Sequence, residues 1–188
     1  MPGDGVSEDE QTMVLEAFAD TILPGAKRSP ADRAIAGVSA TPGAVAAGAL
    51  TLLRTPATGV TAGLEFLVPA LNHHAEEHAA ANGWALDETV PPFVALDFEQ
   101  RCSLVLDLTA PGNPERDGWV ALALFCNMAY DSAAHLPTAE AVASGHPGLR
   151  AMGWAAPDVD GLWRFPDYSY RRAVADLHPG TDRSGSPA

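Results

Sequence analysis

The chain is 188 residues long, a length that fits one domain with a core of its own. Its 24 acidic residues outnumber 11 basic ones, and the net charge of −13 would repel nucleic acid and anionic membrane surfaces. Hydrophobic residues make up 47%, aromatics only 7%, and alanine is abundant, a mixture that favours helices. The expected fold is therefore all-α: a single helical bundle of about five helices over 1–144, followed by an irregular aromatic-rich arm at 145–178 and a mobile tail at 179–188.

The first helix is announced by Ser7-Glu8-Asp9-Glu10, a capping box that places Glu10 three residues after its cap. Val14, Phe18, Thr21 and Ile22 fall on one side of it, and Pro24-Gly25 closes it. A loop over 27–39 follows. Thr41-Pro42 reads as cap and first residue of an alanine-rich helix to Leu53, with Gly43 and Gly48 marking close approach to a neighbouring helix. The longest helix spans 58–82 and stops at Gly83, with Val60, Leu64, Leu67, Leu71 and Ala75 on its core face. Pro69 is expected to kink or split it. Pro91-Pro92 reads as a linker. Asp97 and Gln100 then cap a helix through Leu104, Leu106 and Leu108.

After a turn at Pro111-Gly112-Asn113-Pro114 comes the run from Gly118 to His135, the centre of the chain's organisation. From Trp119 to Met128 it is apolar on every side except at Asn127, the pattern of a helix in the middle of a bundle. It is far short of the roughly 20 residues that span a bilayer. Asn127, Asp131 and His135 recur every fourth residue as a polar stripe. The stripe reads as a satisfied network, the floor of a site, or a face that meets a partner.

Chemistry-bearing patterns are few. His74 and His78 lie four apart, and HAEEH matches the inverted zinc-protease pattern, so His73, His74, Glu77 and His78 are the candidate metal ligands. No third ligand is evident, and a solvated polar face accounts for the same residues. Asp131 and His135 form an i,i+4 pair able to orient an imidazole for base work, but no nucleophile stands near them. Phosphate-cradling loops, a G-x-S-x-G elbow and C-x-x-C are all absent. Cys102 and Cys126 read as small buried hydrophobes. Arg101, early in an apolar helix, reads as the ion-pair partner of a carboxylate at the core's edge.

The stretch from Gly145 has neither helical nor strand period. It sets Trp154, Trp163, Phe165, Tyr168 and Tyr170 among glycine and proline, with Arg150, Arg164, Arg171 and Arg172 supplying much of the scarce positive charge. Two readings stand side by side: a strap filling grooves of the bundle, and a protein interface, where Trp, Tyr and Arg supply most hot spots.

Three segments resemble the gluconate 2-dehydrogenase subunit 3 family, the small accessory subunits of flavin-dependent dehydrogenases. They are the acidic, proline-terminated segment from Leu15 through Asp20 to Pro24; the pattern of Phe93, Leu96 and Arg101 before an apolar helix; and the stretch from Gly145 through Arg150 and Gly153-Trp154 into the aromatic arm. The resemblance implies a helical subunit that holds no cofactor itself. It implies a partner as well, a larger FAD-containing oxidoreductase of the glucose-methanol-choline type, which it would bind and stabilise or mature. Two departures qualify the likeness: the family's Gly-Trp motif is matched only loosely, and the N-terminus carries no twin-arginine leader, which favours a cytoplasmic partner. The competing expectation is a small helical metal-dependent enzyme or ligand-binding protein built on His73–His78 or on Asp131 and His135.

Overall fold

A computed structural model describes residues 7–154 and Gly180. The chain divides after Trp154, and the first unit is helical, with no strand among the described residues. The expected all-α fold is what forms.

Helix α1, Glu8–Ile22, starts where Ser7 Oγ accepts the Glu10 amide at 3.2 Å. Its reciprocal partner is diverted: the Glu10 carboxylate accepts from Asn72 Nδ2 instead, at 3.3 Å. The expected helix over 41–53 shrinks to α2, Ala49–Leu53. Gly48 breaks it, because its backbone sits at φ 88°, in the left-handed region that a continuing helix does not use. Gly43 does mark a close approach, against the backbone of Leu23 and Gly25 rather than a helix.

The segment 56–63 forms two short 3-10 turns, and α3, Leu64–Asn82, follows. It runs unbroken through Pro69, which is exposed and costs only the hydrogen bond to the Glu65 carbonyl. Gly83 ends it at φ 72°. The expected linker at Pro91-Pro92 is a helical turn, α4, Pro92–Ala95, because proline suits the first helical position. Asp97 and Gln100 form the full reciprocal box that opens α5, Phe98–Thr109. Helix α6 is Arg116–Asp131, and two short helices, α7 (Thr138–Ala143) and α8 (Pro147–Ala151), complete the unit. Residues 145–154 thus belong with the bundle rather than with the irregular arm expected from 145. The rest of that arm and the tail at 179–188 lie outside the described residues, Gly180 apart.

The core joins Val14, Leu15 and Phe18 of α1 to Leu53 of α2, Val68 and Leu71 of α3, Phe93 of α4, Leu104 of α5, and Trp119 and Leu122 of α6. Each such side chain contributes about 1.5–3 kcal/mol on leaving water. A smaller cluster of Ala133, Ala141 and Leu149 lies beneath α7 and α8. None of the described helices is long and apolar enough to cross a membrane.

Candidate functional site

Helix α6 touches α1, α2, α5 and α8, yet it is not enclosed. Trp119, Leu122, Cys126 and Ala129 face the core, while Leu124 is 56% exposed and Met128 also reaches solvent. The expectation of a helix buried on every side is corrected here. The chain supplies neighbours for one face of an apolar rod and leaves part of the other open. Across from Leu124 stands Leu106 of α5, 70% exposed, and the two helices with the end of α1 enclose a groove of about 480 Å³. Its walls are mainly apolar; Cys102 and Asn127 also line it. Burial, then the charge of Glu99, pushes the Cys102 thiol up, so this cysteine is no ready thiolate. Cys126 is fully buried and pushed up to about 12 by that burial.

The polar stripe does not survive as one face. Asn127 Nδ2 donates to Asp131 Oδ2 at 2.8 Å at one end of the groove. The helix stops at Asp131, and Ala133 takes a positive φ of 49°, which turns His135 away. His135 packs instead on Gly48 and lies 5.6 Å from the His146 ring. His146 donates from Nε2 to the Ala47 carbonyl at 2.9 Å and accepts the Leu149 amide at Nδ1, capping α8. His135 Nδ1 is buried without a hydrogen-bond partner among the described residues, and burial followed by the neighbouring His146 holds the ring's pKa below its usual value. The expected Asp131–His135 acid-base pair is therefore not assembled.

The histidine cluster is likewise dispersed. His74 Nε2 meets Glu115 Oε2 at 2.7 Å, and Trp119 Nε1 donates to the same oxygen at 3.3 Å. The His74 bond holds Glu115 below the usual carboxylate range. His78 faces Asp107 at 4.0 Å and stacks edge-on against Trp84, and His73 pairs with Glu77 at 3.4 Å. Among the described residues, no group of three or more His, Cys, Asp and Glu side chains could hold a metal ion. His73 and His74 both face Glu77 within α3, while His74 and His78 also reach Glu115 and Asp107 and so tie α3 to the α5–α6 corner.

Three polar groups organise the loop after α1. Asp20 is 1% exposed and accepts the Gly25 and Ala36 amides at 2.9 and 2.8 Å. Burial pushes its pKa up against those two bonds. Arg28 grips both oxygens of Glu16 and reaches Asp32, whose pKa lies below the usual range because these bonds, led by Arg28, outweigh its burial. Arg101 is buried and bonds main-chain carbonyls, with no carboxylate within ion-pair distance among the described residues. The ion-pair reading of Arg101 is thereby corrected.

A family model described as "Family of unknown function (DUF5987)" matches residues 9–188. The chain belongs to this family. No curated protein and no solved structure matches the chain. The DUF5987 match takes in α2 to α8 whole, so the groove and every polar cluster lie within the family's extent.

Of the interface residues expected in this DUF5987 chain, Arg150 and Trp154 are described, and both are exposed at the end of the helical unit. Trp163, Arg164, Phe165, Tyr168 and Tyr170 lie outside the described residues. The groove itself was missed. Its signal was available, since a helix apolar all round next to one with Leu106 out of phase leaves apolar surface over. Asn72 was also missed as a joint: it donates to Glu10 and accepts the Phe93 amide at 3.2 Å.

Proposed function

We propose that the chain is a non-catalytic small subunit that binds and stabilises a larger FAD-dependent oxidoreductase of the glucose-methanol-choline type. The observation that carries the binding role is the open apolar face of α5 and α6, where Leu106 and Leu124 stand in solvent on either side of a groove. Contiguous exposed apolar surface of this kind marks interaction sites. The nature of the partner rests on the resemblance at Leu15–Pro24, at Phe93, Leu96 and Arg101, and at Gly153-Trp154. In this reading the flavin belongs to the partner and the complex is cytoplasmic. The polar clusters support a scaffold role, because Asp20, Arg28, Asp32 and Arg101 are engaged in holding the first loop in place.

Association would stabilise both chains by mass action. The test is affinity purification of the tagged chain from its native cells, with an absorption spectrum of the eluate. The expected result is a stoichiometric larger chain with oxidised-flavin bands near about 370 and 450 nm. A colourless single chain would overturn the proposal.

A further inference from the structure

The α5–α6 groove is built like a bundle from which one helix has been left out. Cys102, Val105, Leu106 and Thr109 line one wall at i, i+3, i+4 and i+7; Val120, Ala123, Leu124 and Asn127 line the other at the same spacing. Two facing stripes of helical period are the surface that a third helix packs on.

The rim is acidic. Glu99 is exposed three residues before Cys102, Asp117 is exposed three residues before Val120, and Asp131 is four residues beyond Asn127. Two cationic side chains occur within 98–131. Arg101 is buried on carbonyls, and Arg116 lies 3.6 Å from Asp117.

We propose that the groove receives one amphipathic helix of a protein partner, apolar along the face that enters and carrying Lys or Arg at its flanks. This inference rests on the accessory-subunit reading for its biological setting and adds what the partner must present. Charge selects against a second copy, which would bring an equally acidic rim to the same place and a net charge of −13 with it.

The test is a titration of the full chain into a labelled peptide of about four helical turns, leucine-faced and lysine-flanked. A peptide with the same apolar face and glutamate flanks serves as comparison. Leu106→Asp and Leu124→Asp change exposed side chains, and thermal melts show whether they keep the wild-type fold; Asp117→Lys probes the rim without touching an apolar group. Expected are saturable binding of the lysine-flanked peptide, a loss of at least about tenfold in either leucine variant, and weakening by Asp117→Lys and by added salt.

Equal binding by the leucine variants, or by the glutamate-flanked peptide, would overturn the proposal. So would a wild-type dimer that Leu124→Asp converts to monomer, since the occupant would then be a second copy. Flavoprotein retained undiminished by both leucine variants would overturn the groove while leaving the accessory reading intact. A groove that binds the peptide in a chain that captures no flavoprotein would sustain the groove and overturn that reading.

Discussion

Arg101 donates from Nε to Leu96 O at 3.0 Å, from Nη1 to Ala34 O at 2.7 Å, and from Nη2 to Val94 O at 2.6 Å and Arg33 O at 3.2 Å. Burial lowers its pKa from that of free arginine, with Asp20 opposing from a distance. The side chain therefore fastens the first loop and α4 to the start of α5. Replacing it by methionine would leave several buried carbonyls without a donor, and Arg101→Met should destabilise the chain by about 3 kcal/mol or more. Urea denaturation measures this, and Arg101→Lys should recover only part of it, because one ammonium cannot serve so wide a fan of acceptors. Stability equal to wild type in the methionine variant would refute the role. The sequence showed the arginine but not its partners. A search for opposite charges finds carboxylates, whereas carbonyls are present at every residue and leave no trace in the side-chain alphabet.

At the scale of elements, Gly48 decides where α2 begins. Its positive φ ends the alanine-rich pattern early, and a side chain there would collide with the His135 imidazole. Gly48→Ala should therefore cost about 1–3 kcal/mol, from left-handed backbone strain together with the clash. Adding His135→Ala should relieve the clash and leave the strain, so the double variant should melt between Gly48→Ala and wild type. A Gly48→Ala melt matching wild type would count against this account. Helix α3 makes the opposite point: Pro69 predicted a break, but solvent can serve the carbonyl that the proline leaves free, and tertiary packing on either side holds the helix together.

The whole molecule is set by its acidity and by which buried groups resist a proton. Unfolded histidine titrates near about 6.5, and the folded pKa of His135 is lower, so the unfolded chain takes up a proton more readily. The stability that His135 contributes is fully present above that value and is lost as pH falls through the folded pKa. Asp32 and Glu115, held low, lose their contributions at more acid pH, and Asp20, held high, changes in the opposite sense there. The windows of Asp32 and Glu115 thus lie below the histidine one, while Asp20 is common to wild type and a His135 variant and cancels when the two are compared. Between about pH 7.5 and 5.5, wild type should lose melting temperature relative to His135→Leu, which carries no titrating ring. Parallel melting curves across that range would show that the His135 pKa is the same in the folded and unfolded chain, and would refute the effect of burial.

Local rules were enough for the all-α class, the caps at Ser7 and Asp97, the stop at Gly83 and the acidic surface, because each depends on residues within a turn or two of one another. They also placed most of α1, α3, α5 and α6, whose apolar periods are long. Only the tertiary structure decided that His135 meets His146, that His74 and His78 reach the different carboxylates Glu115 and Asp107, and that Arg101 binds carbonyls. It decided as well that the run at Trp119–Met128 keeps part of one face, at Leu124 and Met128, in solvent. Periodicity tells which face of a helix is apolar; whether the same chain covers that face depends on how many helices there are to pack and where each one ends.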